Sequence, residues 1–147
     1  MAVDMTQFPE MNTFSSVIRF GLTFEEAAQQ FYASAAELAP DQAELLNSLA
    51  ESHKKRYALL EETRQQKLNE MILEPVSGVE REDYLPDAEL ADKDELAAKA
   101  KALEELGAKF YGDLAVVAKE LSREASRVYA RMAKENGKLL KKLAALD

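Results

Sequence analysis

FEEAAQQFY (Phe24–Tyr32) and LEELGAKFY (Leu103–Tyr111) are the stretches that decide how this chain is read. They align without a gap at an offset of 79 residues, and each sets a glutamate seven residues before a tyrosine: Glu25 before Tyr32, and Glu104 before Tyr111. Seven residues are two helical turns, so glutamate and tyrosine share one helix face. Further along, Glu37, Leu38, Asp41, Leu49 and Ala50 recur as Glu120, Leu121, Glu124, Met132 and Ala133, now 83 residues apart. The four-residue change in offset is about one helical turn, inserted in the helix of the second copy. The chain therefore reads as two related helical hairpins. The repeat sets Glu25 opposite Glu104 and His53 opposite Asn136.

Working outward, the four prolines (Pro9, Pro40, Pro75 and Pro86) leave 10–39, 41–74 and 87–147 free to be helical. A proline in a helix interior costs about 3 kcal/mol. These stretches are rich in Ala, Leu, Glu, Lys, Gln and Arg, and they lack the alternating β-branched runs of strands. Four helices are expected: Thr13 to Leu38 with Asn12 or Thr13 as cap, Pro40 to Leu68, Asp92 or Asp94 to Leu121, and Ser122 to the C-terminus. An N-terminal arm (1–11) precedes them in one 147-residue domain. A crossover segment (70–91) joins the hairpins, with Ile72, Leu73, Val76, Tyr84 and Leu85 available to pack on the helices.

Each helix carries an apolar stripe with steps of three and four. The stripes are Phe14, Ile18, Gly21, Glu25, Ala28, Tyr32, Ala35; Leu46, Leu49, His53, Arg56, Leu60, Thr63; Ala97, Ala100, Glu104, Gly107, Tyr111, Leu114, Ala118, Leu121; and Ala125, Tyr129, Met132, Asn136, Leu139, Leu143, Leu146. Every stripe has a polar residue near its middle. A four-helix bundle would bring Glu25, His53, Arg56, Glu104 and Asn136 to one buried level, with Tyr32 and Tyr111 beside them.

Composition removes several chemistries. There is no cysteine, hence no disulfide, thiol catalysis, zinc–thiolate or iron–sulfur site. His53 is the single histidine, so a Ser-His-Asp machine would have to be built on it alone. Acidic residues number 27 against 19 basic ones, a net charge of −8, which argues against general nucleic-acid binding. No stretch reads as a secretory signal or a membrane span, and no glycine-rich phosphate loop is present. A cytoplasmic protein is expected.

The Glu25/Tyr32 and Glu104/Tyr111 spacing, with the Leu49-Ala50-Glu51 and Met132-Ala133-Lys134 starts in the second helices, resembles the rubrerythrin-like branch of the ferritin-like superfamily. The resemblance spans helices one to four. It implies an all-α ferritin-like four-helix bundle, two hairpins joined by a long crossover, in which four carboxylates and two histidines hold two irons for peroxide or oxygen chemistry. Glu25 and Glu104 stand at the first-helix ligand positions. Where a Glu-x-x-His pair is implied, the chain has His53 and Arg56, and then Asn136 and Leu139. A further glutamate of that family falls on Gly107.

Charge accounting favours a degenerate site. Glu25 and Glu104 bring two negative charges; Arg56 brings one positive charge, and protonated His53 a second. Buried charges cost several kcal/mol each when unpaired, so such internal neutralisation is expected of a metal-free core. The expected pairs are Glu25–Arg56 and Glu104–His53 with Asn136 bridging, and the expected role is binding or regulation without a cofactor. The alternative is an oxidoreductase in which Glu25, His53 and Glu104 hold one iron or manganese ion. Whether the chain is an enzyme stays open. The resemblance further implies a homodimer. A protein partner of unstated identity is expected, with the Phe8-Pro9 arm and Met1, Met5 and Met11 as the surface that could pack on it; neither nucleic acid nor a membrane is expected. The acidic excess reads as a solvated face, and Lys138, Lys141 and Lys142 suit the negative end of the last helix.

Overall fold

A computed structural model describes residues 8–67 and 74–146 of the chain. Four long helices dominate: α1 (Phe14–Leu38), α2 (Ala43–Lys67), α3 (Leu96–Ala118) and α4 (Arg123–Lys142). Among the described residues there is no strand, only an isolated antiparallel bridge between Thr13 and Pro75. No described helix is long and apolar enough to cross a membrane.

Local chemistry sets the helix ends. Thr13 caps α1: its hydroxyl accepts from the Ser16 N–H (3.1 Å), and the Ser16 hydroxyl accepts from the Thr13 N–H (2.9 Å). This reciprocal arrangement satisfies amides that the first turn leaves without partners. Pro40 does not begin α2; Pro40–Gln42 forms a 3-10 turn, and α2 starts at Ala43. Asp92 caps another 3-10 turn, Lys93–Glu95, that leads into α3. Helix α3 stops at Ala118 rather than Leu121, because the Leu121 and Ser122 amides both turn back to the Ala118 carbonyl. Ser122 caps α4 through its hydroxyl, which accepts from the Ala125 N–H (3.2 Å). The expected end of the second helix at Leu68 lies outside the described residues, as do Ile72, Leu73, Met1 and Met5.

Helix α1 packs against α2, and α3 against α4, each pair joined by a short turn. Between pairs, α1 and α3 run in opposite directions: Phe20 meets Phe110 (ring centroids 5.0 Å apart), whereas Tyr32 reaches Glu104. The described part of the connection from α2 to α3 begins beside the head of α1, where the Phe14 amide donates to Glu74 O (2.9 Å) and the Val76 amide to Asn12 O (3.0 Å). It then runs back along α3. Gly78 faces Val117, Tyr84 donates to Asp113 (2.7 Å), and Lys99 donates to Glu89 O (2.6 Å). Gly78 has φ +93°, a left-handed conformation that side chains disfavour. Val79, Tyr84 and Ala88 of this segment are buried, and Val76 and Leu85 pack on the core from its edge.

The core is wider than the stripes suggested. Val17, Phe20, Phe24, Ala27 and Phe31 on α1 are buried beside the expected residues. Burying a large apolar side chain contributes roughly 1.5–3 kcal/mol, so this second row is a major part of what holds the hairpins together. The N-terminal arm belongs to it as well. Phe8 does not offer itself to a partner; it is 1% exposed and packs on Phe20 (4.9 Å), while Arg81 donates to its carbonyl (3.3 Å) and pairs with Glu10 (3.1 Å).

Candidate functional site

Five polar side chains meet midway along the four helices, and all are at most 2% exposed: Glu25 from α1, His53 and Arg56 from α2, Glu104 from α3 and Asn136 from α4. Each sits in its helix's apolar stripe, so helical periodicity alone turns it inward. Tyr32 and Tyr111 close the level from α1 and α3.

His53 stands between the two carboxylates. Its Nδ1 lies 2.6 Å from Glu25 Oε1 and its Nε2 2.7 Å from Glu104 Oε2. A carboxylate only accepts, so satisfying both contacts requires a proton on each ring nitrogen, which is the imidazolium. Burial alone would lower the His53 pKa, but Glu25 and then Glu104 outweigh it and raise it to about 9. Burial likewise opposes the Glu25 charge, and Arg56 and His53 overcome that and hold its pKa at about 2.

Arg56 grips Glu25 with a fork: Nε donates to Oε1 (3.0 Å) and Nη2 to Oε2 (3.3 Å). Its remaining donors are also used. Nη2 reaches Asn136 Oδ1 (2.7 Å), while Nη1 reaches the Met132 carbonyl (3.0 Å) and Glu135 (2.8 Å). The guanidinium carbon lies 5.2 Å from the centroid of the Tyr111 ring. Burial penalises this cation, yet Glu25 keeps its pKa above the ordinary arginine value.

The expected split into Glu25–Arg56 and Glu104–His53 pairs is therefore too simple. His53 serves both carboxylates, and Glu25 accepts from both cations. Asn136 does link the halves, taking a hydrogen bond from Arg56 and donating to Glu104 Oε1 (2.8 Å). Gly107 makes room for it, since a Cβ there would lie 2.6 Å from Asn136 Nδ2. The tyrosines cross between hairpins: Tyr32 donates to Glu104 Oε2 and Tyr111 to Glu25 Oε2, both at 2.5 Å. Burial first, and then the facing carboxylate, raises both phenol pKa values.

All seven residues read from the sequence thus meet. Glu135 was missed. It is half exposed on the polar side of α4, next in sequence to Asn136, and no apolar periodicity marks it. Tyr129, two turns before Asn136 on α4, stacks on Tyr111 (6.4 Å), but its buried hydroxyl has no partner among the described residues.

These donors do not fit a metal ion. A ligating histidine needs a free lone pair, and His53 directs both ring nitrogens at carboxylate oxygens. Glu25 is held through both oxygens by a guanidinium, a fixed positive charge that would repel an added cation. Among the described residues, no group of three His, Cys, Asp or Glu side chains is arranged to hold a metal. With Glu25 and Glu104 ionised, Arg56 and protonated His53 balance the charge from within the protein. Such compensation removes the several-kcal/mol cost of leaving each ion unpaired in a dry core.

Compared with known proteins, the chain matches no family model, no curated protein and no solved structure.

Proposed function

We propose that this chain is a ferritin-like four-helix bundle, akin to the rubrerythrin-like branch, in which an ion network has replaced the di-iron centre. It acts as a non-catalytic binding or regulatory protein and works as a homodimer in the cytoplasm. The observation that carries the reading is His53 held by both nitrogens between Glu25 and Glu104, with Arg56 forked onto Glu25. A site that satisfies its own carboxylates has no electrostatic need of metal. Further support comes from the opposed course of α1 and α3, the segment returning along α3, and the crossed tyrosine–glutamate pairs.

Elemental analysis tests the metal-free part. Protein grown with added iron and manganese should carry neither in stoichiometric amount; one tightly held ion per chain would favour the oxidoreductase reading instead. The ferritin-like part has a constructive test. The combined variant His53→Glu, Arg56→His, Asn136→Glu and Leu139→His restores the implied ligand types on α2 and α4. It should fold and gain about two irons per chain. A folded variant that binds none would overturn the proposed ancestry of the site.

A further inference from the structure

Helix α4 carries seven basic side chains against two acidic ones, in a chain whose net charge is −8. All seven basic side chains are exposed, away from the buried Tyr129, Met132, Asn136 and Leu139. Lys141 and Lys142 have a local reason, the negative end of the helix dipole. Those in the middle do not. Arg131 and Lys134 are three residues apart, and Lys134 and Lys138 are four apart, spacings at which like charges repel. None of the three makes an ion pair or a hydrogen bond with a described residue.

The same three line a groove of about 300 Å³ together with Leu59, Met132 and Glu135. Among the described residues that line it, Glu135 is the only carboxylate, and it is committed to Arg56 at 2.8 Å. The groove therefore has an unanswered cationic rim, with apolar contact from Leu59 and Met132. We propose that it binds a small phosphate-bearing anion. The Arg131 guanidinium has the fork geometry for phosphate oxygens, and Lys134 and Lys138 supply point charges beside it. The volume is at the lower end of small-molecule sites, which suits a phosphate monoester or pyrophosphate. The acidic remainder of the chain disfavours an extended polyanion. An occupant would rest on the outer wall of the buried network, because Met132 O and Glu135 both accept from Arg56 Nη1. This inference does not depend on the ferritin-like reading.

Pyrophosphate, titrated into the full chain at low and at moderate salt and followed by amide and arginine side-chain NMR, is the test. Saturable shifts should concentrate at Leu59 and residues 131–138 and include the Arg56 Nε–H. The double variant Arg131→Ala and Lys134→Ala should bind roughly tenfold or more weakly with an unchanged melting temperature; Arg123→Ala with Arg127→Ala should bind like the parent. If the first pair unfolds, Arg131→Gln with Lys138→Gln gives the same comparison. Unsaturable shifts spread evenly over the α4 cations would overturn the proposal. So would equal affinity in the groove variant, or binding of an acidic peptide or nucleic acid without pyrophosphate.

Discussion

The two hairpins share a repeat but divide the labour at the buried level. Their first helices are matched: Glu25 and Glu104 face inward, and Tyr32 and Tyr111 each donate across to the other hairpin's glutamate. Their second helices are not. Helix α2 supplies both cations, His53 and Arg56, where α4 supplies a neutral amide, Asn136, and the apolar Leu139. Two symmetric anions are thus neutralised from one side. Among the described residues, all the positive charge at this level comes from a single helical turn of α2, so the electrostatic integrity of the core rests on α2 far more than on α4.

The sharpest contrast is between Arg56 and its repeat partner Leu139. Arg56→Ala leaves Glu25 short of its forked partner and should cost about 3–5 kcal/mol. Leu139→Ala removes packing only and should cost about 2–4 kcal/mol. Urea unfolding at pH 5 and pH 7 separates the two mechanisms. The Arg56 variant should recover part of its loss at the lower pH, where a poorly compensated carboxylate can protonate, and the Leu139 variant should not. Equal pH behaviour would break the comparison.

The dependence of the parent protein on pH has a definite sign on each side. The His53 pKa is raised from 6.5 to about 9. Its stabilisation is complete below pH 6.5 and is lost as pH rises through 9, a change of about 3 kcal/mol. The Glu25 pKa is lowered from 4.5 to about 2. Its stabilisation is complete above pH 4.5 and is lost as pH falls through 2, also by about 3 kcal/mol. The two describe one pair and do not add. Unfolding free energies measured across this range should therefore peak between pH 4.5 and 6.5; a monotonic rise to pH 9 would contradict the charged state of His53.

Smaller effects probe how tightly α4 fits the level. Gly107→Ala places a methyl 2.6 Å from Asn136 Nδ2, whereas at Gly112 an added Cβ meets nothing within 4 Å. Overpacking should cost the first variant about 1–3 kcal/mol, and helix propensity should give the second up to about 1 kcal/mol of added stability. Thermal denaturation showing both stabilised would mean that Asn136 is free to move. A last pair compares two tyrosines. Tyr111→Phe deprives Glu25 of a hydrogen bond to a charged group and should cost about 1.5–3 kcal/mol. Tyr129→Phe removes a hydroxyl with no described partner and should be neutral or slightly stabilising, as urea midpoints would show.

Much of this arrangement was legible in residue spacing. Proline positions and three-four periodicity delimit the helices, and the same periodicity turns Glu25, His53, Arg56, Glu104 and Asn136 inward. Spacing fixes a face, however, not an ångström. Whether His53 serves one carboxylate or two depends on rotamers and helix separation, which no sequence pattern encodes. Glu135 escaped notice because its helix position is polar and its link to Arg56 runs from the exposed side. Spacing leaves Phe8 in an N-terminal arm because its fit beside Phe20 is a long-range contact. The second buried row on α1 was hidden by the assumption of a narrow stripe; α1 packs on more than one neighbour and buries more of its circumference.

The central claim is that protonated His53 and Arg56 together do the electrostatic work of a metal centre. The imidazole ¹⁵N spectrum of the purified protein at pH 7 tests it most directly. Both His53 nitrogens should appear protonated, and the signal should titrate only near pH 9. A single unprotonated nitrogen at pH 7, or a His53 nitrogen shifted by an added stoichiometric metal ion, would contradict it.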